Sequence, residues 1–182
     1  MTHATDATDG IGSVLRRTIR DIPDFPKQGV LFKDITPVLL DAELFRQTTD
    51  AMAAPFVGDG ITHVVAIESR GFILGAPIAQ TLHAAFVPIR KRGKLPASVE
   101  RVEYSLEYGL DALEVHRDAL SGEHRALIVD DVLATGGTAD AACRVIERLG
   151  AEVVGCSFLM ALSFLPGLDV LRARRVSSLI RY

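Results

Sequence analysis

The stretch Val129-Asp130-Asp131-Val132-Leu133-Ala134-Thr135-Gly136-Gly137-Thr138 closes an apolar run with two carboxylates, passes through a glycine and hydroxyl turn, and opens a helix-patterned segment. Two adjacent acceptors suit a pair of ribose hydroxyls. Thr135, Thr138 and the main-chain N–H groups freed by Gly136 and Gly137 suit a monophosphate at a helix N-terminus. Both ends of a sugar phosphate are therefore met within a single turn. Taken alone, the same residues also read as an acidic strand end followed by a capped helix. A P-loop does not fit, because no Gly-Lys-Ser/Thr follows the glycines, and the dinucleotide fingerprint GxGxxG is missing. A receiver-like phosphoacceptor domain also gathers carboxylates beside strands, but it leaves the Gly136-Gly137-Thr138 turn without a role.

Working outward, Arg125 to Val129 predicts a strand and Thr138 to Leu149 a helix, followed by strands over Val153 to Leu162 and Val176 to Ile180. Upstream, Thr62 to Ile67 is β-branched or apolar at nearly every position, as in a strand covered on both faces. Glu68-Ser69-Arg70-Gly71 then turns the chain into a helix ending near His83, and Ala85 to Ile89 forms another strand. Ile11 to Arg20 has helical spacing, whereas Ile22 to Gly29 is broken by two prolines and a glycine and reads as a shaped loop. Asp41 is placed to cap a helix running to about Phe56. From Arg90 to about Leu106 the pattern changes, with six charged side chains between Arg90 and Arg101. This segment is a mobile loop, or the start of a hairpin continuing through Tyr108-Gly109 to Val115. Strands alternating with helices predict an α/β fold with a mostly parallel sheet.

In such a sheet, ligands bind beyond the carboxyl ends of the strands. The loops on that edge are Glu68 to Gly71, Arg90 to Lys94 and Asp130 to Thr138. The last supplies acceptors and an anion nest, and the others supply Arg70, Arg90, Lys91, Arg92 and Lys94. A ligand with a diol, a monophosphate and a second, more heavily charged phosphate group uses all of them. Each signal has a plainer reading. Arg70 is either a bidentate phosphate clamp or a solvated arginine. Arg90-Lys91-Arg92-Gly93-Lys94 is either part of the anion site or an exposed charged loop, and Glu100, Glu103 and Glu107 close behind it argue against a general polyanion surface. Tyr104, Glu107 and Tyr108 fit ordinary hairpin faces. Phe25 and Phe32 either pack the N-terminal segment or stack on a heterocycle.

The chain has 182 residues, 48% hydrophobic and 24% charged, with a net charge of −3. That balance predicts a loose tail over 1–10 and a single globular domain over 11–182, with no general attraction to nucleic acid or an anionic membrane. The longest apolar stretch, Gly71 to Leu82, is too short to span a bilayer, and the small polar residues at the start do not read as a signal peptide. Cys143 and Cys156 lack ligand-like spacing and read as buried thiols of a reducing cytosol. The five histidines are scattered, so no protein-built metal site is expected.

Taken together, these residues resemble the adenine-specific branch of the type I phosphoribosyltransferases over nearly the whole chain. Val129 to Thr138 is similar to the phosphoribosyl-pyrophosphate signature of the superfamily. The adenine-specific likeness lies in Asp24-Phe25-Pro26, Gly29 to Ile35, Ser69-Arg70-Gly71-Phe72, Arg90 to Pro96 and Ser105-Leu106-Glu107-Tyr108-Gly109. The resemblance implies the type I phosphoribosyltransferase fold, with an N-terminal hood and a flexible loop or hairpin. It also implies transfer of the 5-phosphoribosyl group from phosphoribosyl pyrophosphate (PRPP) to adenine, giving AMP and pyrophosphate in purine salvage.

By the same resemblance, Asp130 and Asp131 anchor the ribose, and Ala134, Thr135, Gly136, Gly137 and Thr138 hold the 5′-phosphate. Ser69, Arg70, Arg90 and Lys94 take the pyrophosphate. Leu31, Phe32, Lys33 and Leu162 take adenine, and Glu107 and Tyr108 are catalytic, assisting proton movement and closing the site. Lys33 stands where the family often has arginine. Mg²⁺ is implied, carried mainly by ligand oxygens and water, and so is a homodimer, while the two thiols point to a cytoplasmic location. The alternatives are a transferase for xanthine or a related oxopurine, and a non-catalytic PRPP-sensing regulator. The sensor needs an added DNA-binding module, for which the short N-terminal segment leaves little room.

Overall fold

The computed structural model describes residues 6–106 and 109–182, and the chain divides into two compact units, 1–51 and 52–182. In the first unit α1 (Asp6–Thr18) leads into a two-stranded antiparallel sheet of β1 (Arg20–Pro23) and β2 (Leu31–Asp34). The helix starts at Asp6, inside the stretch expected as a loose tail. The prolines of 22–29 hide the small sheet from a sequence reading, because they break the alternation that marks strands. In the structure Arg20 grips Asp34 Oδ2 through Nε at 3.1 Å and Nη2 at 2.8 Å, and Gly29 N–H donates to Asp24 Oδ1 at 2.8 Å. A short helix α2 (Thr36–Leu40) follows, with Asp34 Oδ1 accepting from Thr36 N–H at 2.9 Å. Then comes α3 (Ala42–Ala53). Asp41 caps it as expected, since its Oδ1 accepts from the N–H groups of Glu43 at 3.1 Å and Leu44 at 3.0 Å.

The second unit is built on a seven-stranded sheet. Its elements are β3 (His63–Ile67), α4 (Arg70–Thr81), β4 (Ala85–Lys91), β5 (Val99–Leu106), β6 (Gly109–His116), β7 (Arg125–Leu133), α5 (Gly137–Arg148), β8 (Glu152–Ala161), α6 (Gly167–Val170) and β9 (Val176–Arg181). Strand order is β5-β6-β4-β3-β7-β8-β9. The pairs β3–β4, β3–β7, β7–β8 and β8–β9 are parallel, and the β5–β6 hairpin joins β4 antiparallel. The expected α/β sheet is therefore present, and of the two readings of the 90–115 segment the hairpin is the one observed.

Helices cover both faces, which explains the unbroken apolar run of β3. Val65 and Ile67 join Val87, Ile89, Ile128, Phe158 and the buried face of α5 (Ala142, Val145, Ile146) in one core. Val64 and Ala66 point the other way, toward α4. There Gly75 comes so close that an added Cβ would stand 2.6 Å from Ala66 Cβ. Cys143 and Cys156 are buried free thiols, as expected, with their sulfurs 3.9 Å apart. No helix among the described residues is long and apolar enough to cross a membrane.

Candidate active site

β7 carries the chain further than its apolar residues alone suggest. Asp130 pairs with Phe158, Val132 with Met160 and Leu133 with Ala161, so both carboxylates leave a strand that is still in register. Asp131 is 3% exposed, and Asp130 Oδ1 accepts the Asp131 N–H at 2.9 Å. A carboxylate this deep needs a counter-charge. Arg70, first residue of α4, places Nε 2.5 Å from Asp131 Oδ2. The contact is ionic, because Oδ2 is buried without a hydrogen bond of good geometry. Asp130 is the other half of the charge problem. Burial, then the neighbouring Asp131 charge, raises its pKa well above the ordinary carboxylate range.

Close approach of α4 to β7 is what brings Arg70 there. A Cβ on Gly71 would sit 2.9 Å from the Val129 carbonyl oxygen and 3.0 Å from Asp130 Oδ1. Glycine is required at Gly136 as well, where φ is +85° and a Cβ would meet the Gly167 Cα at 3.0 Å. Gly136 caps α5 in this left-handed conformation and accepts the Asp140 N–H at 2.9 Å. The first-turn N–H groups of α5 are thereby left pointing out of the turn, as an anion site needs.

Ser69, Arg70, Lys94, Asp130, Asp131, Ala134, Thr135, Gly136 and Thr138 line one cleft of about 620 Å³, and Gly137 opens α5 between two of them. Lys91, Tyr104 and Asp111 line it too. Arg90 does not, but it is tied to the cleft through Glu68. Glu68 accepts Arg90 Nε at 3.0 Å, Lys94 Nζ at 3.0 Å and the Lys91 N–H at 3.1 Å. Burial works to raise the Glu68 pKa, yet these donors, Lys94 foremost, bring it below the usual value. Glu114, 2% exposed on β6, fixes the same segment by accepting the Gly93 N–H at 2.8 Å and Arg101 Nε at 2.7 Å.

Leu162 follows β8, where its N–H donates to the Leu133 carbonyl at 2.9 Å, and it does not line the cleft. Leu31, Phe32 and Lys33 lie on β2 of the N-terminal unit. There Lys33 Nζ pairs with Asp21 Oδ1 at 2.6 Å, and Phe32 meets Phe25 edge to face at 5.1 Å. Glu107 and Tyr108 lie outside the described residues. Among the described residues no group of three or more His, Cys, Asp or Glu side chains could hold a metal ion.

Comparison with known proteins places this geometry. The phosphoribosyl transferase domain family matches residues 39–163. The adenine phosphoribosyltransferase of Myxococcus xanthus (strain DK1622) is 55% identical over 168 residues, covering 92% of this chain and 91% of the relative. The chain belongs to the adenine phosphoribosyltransferase family. A crystal structure of the family member from Thermoanaerobacter pseudethanolicus superposes with a TM-score of 0.91 at 47% identity, covering 93% of this chain and 99% of the other. That from Saccharomyces cerevisiae, solved with an imino-altritol bisphosphate and adenine, gives 0.89 at 36% identity over 94% and 99% of the chains. The fold is thus the type I phosphoribosyltransferase fold of that family.

A sequence reading misses Glu68 and Glu114 as site residues, and it leaves Tyr104 without a role. Nothing in their spacing announces them. Their partners lie 21 to 23 residues away (Glu68 with Arg90 and Lys91, Glu114 with Gly93) or across the hairpin, and only the sheet brings them together.

Proposed function

We propose that the cleft between β7 and the start of α5 is where this chain, an adenine phosphoribosyltransferase by family, transfers the 5-phosphoribosyl group of PRPP to adenine, releasing pyrophosphate and AMP. One observation carries the reading: paired carboxylates, their arginine and a glycine-capped helix N-terminus line a single cleft of about 620 Å³. That volume is the size of a small-ligand site. In this reading Asp130 and Asp131 accept from the ribose hydroxyls, and Ala134 to Thr138 hold the 5′-phosphate by N–H and hydroxyl donors. Ser69, Arg70, Arg90 and Lys94 receive the pyrophosphate.

Departure of pyrophosphate leaves positive character on the ribose ring, as in other glycosyl transfers through oxocarbenium-like states. Fixed cations that meet the leaving oxygens lower that barrier. The grip of Glu68 on Arg90 and Lys94, each at 3.0 Å, supports a role for those two side by side. Mg²⁺ is proposed as the cofactor, adding further positive charge at the pyrophosphate oxygens. Among the described residues no carboxylate cluster forms a cage for it, and in this reading it would arrive on the ligand with water completing its shell.

For adenine, the family resemblance proposes Leu31, Phe32, Lys33 and Leu162. For proton movement at the base and closure it proposes Glu107 and Tyr108. Pairing of Lys33 with Asp21 supports a structural use of that side chain, with adenine read by main-chain groups beside it. A homodimer in the cytoplasm is proposed as well, the first on the family resemblance and the second on the unbonded thiols Cys143 and Cys156. A panel of free purines incubated with PRPP and Mg²⁺ tests the specificity. AMP from adenine is the expected product, IMP or XMP without AMP points to an oxopurine enzyme, and binding without turnover points to a sensor.

A further inference from the structure

Glu114 on β6 is 2% exposed, so its charge is removed from water and has to be met within the protein. Antiparallel pairing sets it directly across from Arg90 on β4 and from Arg101 on β5, a cross-strand row in which the carboxylate lies between two cations. Its two oxygens face different partners. Oε1 takes Arg101 through Nε at 2.7 Å and Nη2 at 2.5 Å, inside the hairpin. Oε2 reaches out of the hairpin and accepts the Gly93 N–H at 2.8 Å. Gly93, with φ +77°, lies in the turn between Lys91 and Lys94, and nothing stands within 4 Å of its Cβ position, so no packed neighbour holds it there. Hydrogen bonds hold the turn instead. Glu68 Oε2 accepts the Lys91 N–H at 3.1 Å, the Lys94 carbonyl accepts Arg90 Nη1 at 3.1 Å, and Glu114 supplies the third point, at the tip. Arg90, Lys91, Arg92 and Lys94 carry like charges along one short turn and repel one another, so a turn fixed only at its base would splay. Lys91 and Lys94 line the cleft, whereas Gly93, Arg101 and Glu114 do not.

We propose that Glu114 is a positioning residue for the pyrophosphate end of the cleft, clamping the Gly93 turn to β6 so that the Lys94 ammonium is held where the leaving group meets it. The inference rests on the reading of Arg90 and Lys94 as pyrophosphate residues. Glu114 lies outside the cleft and acts through the main chain of the turn. Glutamine cannot replace it. Both carboxylate oxygens face donors, and an amide has only one acceptor oxygen, so its NH₂ group would oppose either Arg101 or the Gly93 N–H. The 134–138 turn lies between β7 and α5 and shares none of these contacts, so the sugar-phosphate end is insulated from the change.

Pyrophosphate and ribose 5-phosphate probe the two ends of the cleft separately. In Glu114→Gln the inhibition constant of pyrophosphate should rise by roughly 3- to 30-fold, part or all of the worth of a hydrogen bond to a charged group, while the dissociation constant of ribose 5-phosphate stays within about twofold of the parent. Glu114→Asp, which keeps the charge but shortens the reach by one methylene, should show the same selective loss and serves should the glutamine variant not fold. Arg101→Gln disturbs the same carboxylate through its other oxygen and leaves the Gly93 link in place. It should lower the melting temperature without weakening pyrophosphate. Unchanged pyrophosphate inhibition in both Glu114 variants, equal losses for the two ligands, or an Arg101→Gln chain that loses pyrophosphate as Glu114→Gln does would each overturn the inference. The pyrophosphate site itself still stands in those cases if Lys94→Met weakens pyrophosphate. Unchanged inhibition in Lys94→Met would overturn both the inference and the reading it rests on.

Discussion

Gly136→Ala tests whether the phosphate turn has the shape described. The substitution does two things, and a second glycine separates them. At Gly136 φ is +85°, and the new Cβ would stand 3.0 Å from Gly167 Cα, 3.0 Å from Val170 Cβ and 3.1 Å from the Gly167 carbonyl oxygen. Gly58 has φ +86° with nothing within 4 Å of its Cβ position. A left-handed conformation costs a non-glycine residue about 1–2 kcal/mol, and that is the whole expected cost of Gly58→Ala. Crowding against packed neighbours adds about 1–3 kcal/mol at Gly136, for a total of about 2–5 kcal/mol.

For a chain of 182 residues, about 2–4 °C of melting temperature is lost per kcal/mol. Gly58→Ala should therefore melt roughly 2–8 °C below the parent and Gly136→Ala roughly 4–20 °C below, measured side by side by circular dichroism. Because the crowding falls on the cap of α5, Gly136→Ala should also raise the Michaelis constant for PRPP and leave that for adenine alone. Equal melting temperatures for the two variants, or an unaltered PRPP constant in Gly136→Ala, would refute the reasoning.

Further outcomes follow from the charges. Asp131→Asn should weaken PRPP by about tenfold or more, the scale of a hydrogen bond to a charged group, with adenine binding little changed; an unchanged PRPP Michaelis constant contradicts the ribose role. Arg70→Gln should act in the same direction and also destabilise the fold, since the buried Asp131 side chain cannot turn to water for its counter-charge. A variant as stable as the parent argues against the pair. At the far end of β3, His63 stacks 4.0 Å from His124, and burial together with the His124 charge lowers its pKa below 6.5. The unfolded chain then holds more protons between the two values, so stability rises with pH through that window and is lost as the pH falls through 6.5 toward the lowered folded-state value. Asp130 titrates identically in parent and variant, so a smaller acid loss of melting temperature in His124→Gln isolates the histidine pair, and an equal loss rejects it.

Much of this architecture was written in the order of residues. The β7 run, the Gly136 turn and α5 follow one another in about twenty residues, so local patterning suffices for them. Asp41 as a cap and the doubly covered β3 are local signals of the same kind. What the sequence hides is non-local. Arg90 reads as one more cation of a charged loop, yet its Nε is held 3.0 Å from Glu68, a half-buried carboxylate in the turn that follows β3. Asp130 to Leu133 read as the end of a strand because carboxylates are costly to bury. They stay paired to β8 because Arg70 arrives from α4 to meet Asp131. Prolines masked β1, and α2 is too short for its period to register.

The central claim is that one cleft grips an activated pentose through the 130–138 segment. A crystal structure with PRPP and Mg²⁺ bound measures it directly. The 5′-phosphate should lie within hydrogen-bond distance of Thr135, Thr138 and the N–H groups of 136–138, with the ribose hydroxyls on Asp130 and Asp131. A phosphate seated on any other part of the molecule, with that turn unoccupied, would contradict the account.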